Sequence, residues 1–144
     1  MRSTLAALLT LPALLLPTLQ SVVPPERGAT EVEHGRYIVE RVSMCFECHT
    51  PRDESGEVLR SHWLLGAPIP VSPPPFDGAN WAINAPRIAG MPGYTEQQGV
   101  RLLTQGIDRT GKTLRPPMPP FRFSEADARA VVAYLKSLGP EFGR

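Results

Sequence analysis

The sequence predicts an all-α domain of about three main helices joined by long proline-rich loops. Three stretches open with a helix-start signal and continue with apolar residues at three- and four-residue steps. Between the first and second of them, residues 51–93 hold Pro51, Pro68, Pro70, Pro73, Pro74, Pro75, Pro86 and Pro92 and show no strand alternation. The chain as a whole has 17 Pro and 12 Gly in 144 residues, so much of it is spent on irregular connections.

Residues 1–22 read as an export signal or an N-terminal anchor: Arg2 precedes an apolar run from Leu5 to Leu19. Pro12 and Pro17 inside that run argue against a buried core helix, because each removes a helix hydrogen bond and clashes with the preceding turn. No clear cleavage site follows, so after export the run could remain as a short membrane anchor, and the segment has no cysteine for a lipid. Residues 23–29, with Pro24 and Pro25, read as a linker, and residues 30–144 as the folded domain.

The first helix is expected near Thr30, where Thr30 and Glu33 have capping-box spacing and Val32, Ile38, Val39 and Val42 supply an apolar face. Thr95 and Gln98 repeat that spacing before Val100, Leu102 and Leu103, with Gly106 as the stop. The last helix has the clearest pattern. Ser124 and Asp127 open it, Ala128, Val131, Val132, Leu135 and Leu138 recur along one face, and Gly139-Pro140 end it. No internal repeat is apparent.

Charge excludes one class of function. The chain has 15 Lys+Arg against 14 Asp+Glu, evenly mixed, and this provides no field for nucleic acid. A domain of roughly 110 residues with so much loop buries only a modest core. A loop region as long as 51–93 is unusual in a compact domain unless it wraps something, which points to a large buried ligand.

The only two cysteines identify that ligand. They stand at Cys45-Phe46-Glu47-Cys48 with His49 next, the attachment sequence for c-type haem. One backbone turn separates the thiols by the reach of two haem vinyl groups, and the following imidazole projects at the iron. A zinc site needs about four ligands, and only His34 and His62 remain to complete it. A dithiol redox site follows a strand in a βαβ unit, which is missing before Cys45. A disulfide across so tight a loop leaves His49 and the proline-rich wrapping unexplained.

For the sixth position on iron the candidates are Met118, Met91, Met44, His34 and His62. Met118 is favoured, because Arg115-Pro116-Pro117-Met118-Pro119-Pro120 reads as a stiff extended strap that presents a thioether at little entropic cost. Met44 is too near Cys45 to reach the opposite face, and His34 and His62 read as exposed.

These residues resemble the class I c-type cytochromes, and within them the small monohaem domains that serve periplasmic alcohol, aldehyde and sugar-acid dehydrogenases. The resemblance runs from about Val32 to Leu138, through GRYIVE (35–40), CFECHTPR (45–52), NAPRI (84–88), RPPMPP (115–120) and AYLKSL (133–138). It implies a class I cytochrome c fold wrapped around one covalently bound haem c. The first and last helices cross at right angles in such a fold, with Gly35 allowing the approach and Tyr134 packing there. It further implies that Pro86 accepts a hydrogen bond from Nδ1 of His49 through its backbone carbonyl, and it makes Arg115, Trp63 and Trp81 candidate neighbours of the haem propionates, with surface packing as the alternative for each. The implied function is electron transfer with His49 and Met118 as iron ligands and no catalytic residues. The implied partners are a dehydrogenase upstream and an oxidase or other cytochrome downstream, outside the cytoplasm. The alternative is a haem-based sensor or ligand-binding protein in which Met118 leaves the iron.

Overall fold

The computed structural model describes residues 27–75 and 78–139. The apolar run with its export or anchor reading, and Pro140 of the last helix stop, lie outside the described residues. Among the described residues no helix is long and apolar enough to cross a membrane.

Helix α1 spans Arg27–Tyr37 and runs on into a π-helical turn, Ile38–Val42. It begins a turn earlier than its capping box signals, which places Thr30 inside the helix and makes Arg27 to Ala29 helical instead of linker. Capping-box spacing marks a start only where the preceding residues cannot join the helix, and these three can. The widened turn, which periodicity does not reveal, buries Ile38 and Val39 side by side and leaves Val42 of the expected apolar face 57% exposed.

Helix α2, Phe46–His49, is a single turn that holds the cysteine–histidine motif. Between α2 and α3 lies the long connection, with a short antiparallel pairing of β1, Ala67–Pro68, with β2, Asn84–Ala85. Its other described residues form short 3-10 turns at Arg60–His62 and Gly78–Asn80, an isolated bridge between Arg52 and Val58, and otherwise turns and bends, so the reading as loop holds apart from these.

Helix α3, Glu96–Gln105, starts and stops where its sequence signals stand. Thr95 and Gln98 form the full capping box, and Gly106 closes the helix at φ 72°. Helix α4, Glu125–Ser137, is capped by Ser124, whose hydroxyl accepts from the Asp127 N–H, and Gly139 follows at φ 69°. Its apolar stripe is the centre of the core: Ala128, Val131, Val132, Tyr134 and Leu135 are buried against Ile38, Val39, Trp63, Leu64 and Leu103.

Two glycines permit the helices to approach. A Cβ on Gly35 would lie 1.9 Å from the Ala130 carbonyl oxygen and 2.9 Å from Cβ of Tyr134, so α1 and α4 meet there backbone to backbone. A Cβ on Gly99 would lie 2.7 Å from Val132 Cγ2, bringing α3 onto the same helix. Tyr134 then donates its hydroxyl to Glu40 at 2.7 Å, tying α4 to the π-helical turn. Burial, with the Glu40 bond adding to it, pushes this phenol up to about 12.

A local repeat escaped the sequence reading. Asp53-Glu54-Ser55-Gly56-Glu57 and Asp108-Arg109-Thr110-Gly111-Lys112 form the same turn, each closed by an isolated bridge, Arg52 with Val58 and Ile107 with Thr113. In each, one carboxylate oxygen accepts from the hydroxyl and N–H of the Ser or Thr and from the N–H two residues further on. Those bonds, the hydroxyl first, hold both aspartates below the ordinary carboxylate range. A carboxylate whose folded pKa is depressed stabilises the fold above its unfolded pKa, and the contribution disappears as pH falls through the folded value. Asp53→Asn combined with Asp108→Asn is therefore expected to lower stability at neutral pH and to flatten its decline on acidification. Denaturant melts followed from neutral to acid pH check this, and an unchanged acid limb would show that the turns carry none of it.

Candidate functional site

The site begins where α1 ends. Ser43 N–H closes on Ile38 at 2.8 Å, Met44 turns left-handed at φ 44°, and Cys45 N–H reaches back to Val39 at 3.0 Å. The motif is thus anchored directly to the core helix. Cys45 and Cys48 are free thiols one helical turn apart, both half-buried. Burial pushes the Cys45 thiol up to about 11. Among the described residues no three His, Cys, Asp or Glu side chains gather as a metal-binding group.

His49 is 6% exposed, and its Nδ1 lies 2.7 Å from the Pro86 carbonyl oxygen. A carbonyl only accepts, so Nδ1 carries the proton and Nε2 keeps its lone pair. Burial lowers the imidazole's pKa and so favours the neutral ring, against the opposing effect of the Pro86 bond. A neutral imidazole with a fixed tautomer and one free lone pair is the form that binds iron.

Met118 lies against His49. The strap that carries it is a turn, not the extended segment expected from its prolines: Met118 N–H closes on the Arg115 carbonyl at 3.2 Å. Prolines have no N–H, so Met118 carries the first donor after Arg115, and it closes the turn. The Pro116-Pro117 peptide is cis. Arg115 fastens this turn to the proline-rich loop, donating from Nε to the Asn80 carbonyl at 3.1 Å and from Nη2 to the Trp81 carbonyl at 2.7 Å. Ala82 N–H returns to the Pro116 carbonyl at 2.7 Å, and the Trp81 indole donates to Val71 at 3.2 Å.

The remaining candidates for the sixth position fall elsewhere. Met91 is 5% exposed and packs in the core beside Gly99. Met44 is 51% exposed. His34 is bonded to Asp127 at 2.8 Å on the α1–α4 surface, and His62 is exposed with Ser61 as partner. Trp63 packs inside the domain and not on its surface. It is a core residue, 6% exposed and stacked on Phe46 of the motif at 5.0 Å, with the Arg60 guanidinium 4.3 Å above its ring. An indole of that size on a domain with little core contributes more as filling than as a surface donor.

Free paired thiols, a neutral imidazole and a thioether on that imidazole form a donor set that fits haem c. A family model described as cytochrome c oxidase, cbb3-type, subunit III matches residues 30–135. The chain belongs to this family of c-type cytochrome domains. It is 34% identical over 117 residues to a diheme cytochrome c-type protein of Cereibacter sphaeroides, covering 75% of this chain and 36% of that one. It is 30% identical over 113 residues to the fructose dehydrogenase cytochrome subunit of Gluconobacter japonicus, covering 72% of this chain and 21% of the other. The cytochrome thus spans about a third and a fifth of the length of these two relatives.

Of the residues singled out in the sequence of this cytochrome, the structure brings Pro86 and Met118 to His49. The structure adds two residues that the sequence did not single out. They are Thr50, 2% exposed, whose Oγ1 accepts the Leu64 N–H at 3.0 Å, and Gly66, whose N–H donates to the His49 carbonyl at 2.8 Å. Thr50 lies in the CFECHTPR segment without a role of its own there, Gly66 lies in none of the quoted segments, and their partners lie 14 and 17 residues away in the chain.

Proposed function

We propose that this cytochrome is an exported electron carrier with a single haem c, joined through Cys45 and Cys48 and ligated by His49 and Met118, and that it performs no chemistry on a substrate. The observation that carries the reading is the buried His49 ring, fixed at Nδ1 by Pro86 with Met118 against it. When bound, the haem iron supplies a one-electron couple between ferric and ferrous states.

The chain's own residues set how that couple behaves. The Pro86 bond raises the basicity of His49 and fixes its orientation. Met118 is a soft ligand that favours ferrous iron and a higher potential. With His49 and Met118 both holding the iron, electron transfer would require no ligand exchange. Cys45 and Cys48 retain the cofactor outside the cytoplasm, where a dissociated haem is lost. Arg115 supports Met118 by tying its turn to the 80–82 loop, and its cationic head is the candidate counter-charge for a propionate.

The relative named as a dehydrogenase cytochrome subunit supports a dehydrogenase as the upstream partner, with an oxidase or other cytochrome downstream. Such encounters bury little area and are transient. The sole Cys-x-x-Cys-His motif supports one haem here, against the two in the name of the other relative.

Met118 distinguishes an electron carrier from a ligand-binding protein. The oxidised holoprotein is expected to show the near-infrared charge-transfer band of sulfur-ligated ferric haem and, once reduced, to ignore carbon monoxide. Met118→Ala should remove the band, admit carbon monoxide and lower the reduction potential, whereas Met91→Leu and His62→Ala leave all three unchanged. Carbon monoxide binding by the unaltered protein would favour the sensor reading instead.

A further inference from the structure

The hydrogen bond between His49 and Pro86 joins two segments 37 residues apart, and α2 by itself has no means of holding them in register. The turn at Leu64–Gly66 touches both. On the motif side it makes two bonds: Leu64 N–H to Thr50 Oγ1 at 3.0 Å and Gly66 N–H to the His49 carbonyl at 2.8 Å. On the Pro86 side the Leu64 carbonyl accepts from Ile88 and Ala89 at 3.0 and 3.1 Å, and Ala67 pairs with Ala85.

Gly66 is the point where these contacts converge. Its φ is +93°, and a Cβ there would lie 2.8 Å from Arg87 N, 2.9 Å from the Ala85 carbonyl oxygen and 3.0 Å from the Pro86 carbonyl carbon. All three are backbone atoms of the segment that presents the acceptor to His49, so no flexible side chain is available to yield. Leu64 holds φ 59°, a conformation unfavourable for a branched side chain, in the completely buried position where Thr50 receives its N–H.

We infer that the Leu64–Gly66 turn is a clamp that sets the His49–Pro86 hydrogen bond, with Gly66 and Thr50 as positioning residues for the iron ligand. The inference rests on the assignment of His49 to haem iron. The clamp holds the motif by backbone and Pro86 by close packing, so the imidazole keeps its orientation without a contact of its own to the turn. Loosening it lengthens the Nδ1–H···O bond, makes His49 a weaker donor and favours ferrous iron.

The test uses ferrous holoprotein with nitrogen-15 histidine. Gly66→Ala and Thr50→Val are expected to accelerate exchange of the His49 Nδ1 proton about tenfold, the equivalent of one hydrogen bond. Both should raise the reduction potential while the Met118 charge-transfer band remains. Gly56→Ala and Gly111→Ala are the controls, because those glycines hold φ +87° and +86° with nothing within 4 Å of a Cβ. They impose the same backbone strain and should leave exchange and potential unchanged.

If Gly66→Ala yields no holoprotein, Thr50→Val, which is close in shape, reads the same bond. Proton exchange and potential that match the unaltered protein in the variants that form holoprotein would overturn the clamp. An unaltered protein whose haem is not bound by His49 would instead overturn the haem assignment, and the two failures are distinct.

Discussion

Gly35→Ala is expected to destabilise the haem-loaded protein severely. The added carbon would lie 1.9 Å from the Ala130 carbonyl oxygen, well inside contact distance, and 2.4 Å from its carbonyl carbon. Both atoms belong to the backbone of α4, so relief requires α1 and α4 to separate along their crossing. Val39, Val131 and Val132, each at most 1% exposed, then lose packing, and the Tyr134–Glu40 bond stretches. Over-packing costs typically about 1–3 kcal/mol where side chains yield, and a backbone-to-backbone clash belongs at or above the top of that range. A domain this small has only about 5–15 kcal/mol in total. Denaturant melts of haem-loaded protein measure the loss. Gly111→Ala serves as the reference, since a Cβ there meets nothing within 4 Å. Equal midpoints for the two variants would show that the α1–α4 approach is not limiting.

The second large effect is expected from the thiols. Haem should stay with the unaltered chain through denaturation and acid-organic extraction, and Cys45→Ala with Cys48→Ala should abolish that retention completely. Folding should fail with it. The long connection between α2 and α3 contributes few core residues beyond Trp63, Leu64, Ala85, Ala89 and Met91, and a cofactor bound only by the folded state adds its binding free energy to stability. Circular dichroism of the haem-free double variant is expected to lack a cooperative thermal transition. Full helix content with a sharp melt would show that the protein core suffices, and haem extractable from the unaltered chain would refute covalent attachment.

Local signals were legible wherever their effect is local. Thr95 with Gln98 and Ser124 with Asp127 mark helix starts because a side chain satisfies a backbone N–H within the same turn. Thr30 with Glu33 has the same spacing and failed, since upstream residues joined the helix and left the box without free donors to cap. The prolines around Met118 argued for stiffness but not for direction; the direction came from Arg115 and Ala82 bonding across to a loop more than thirty positions away.

By itself the sequence determined the cofactor chemistry, because Cys45, Cys48 and His49 are brought together within one turn of backbone and need no distant partner to be recognised. It also determined α3 and α4 and the stripe that α4 buries. The tertiary structure alone decided how the turn carrying Met118 is fastened, why Trp63 is core, and how Pro86 is held. Each of these depends on segments that meet only after folding, and the atoms that join them are largely backbone N–H and C=O groups, which every residue but proline carries alike. Gly66 is the extreme case: it acts through the side chain it lacks, and a glycine in a loop looks the same in sequence whether its surroundings are open, as at Gly56, or closed by another strand.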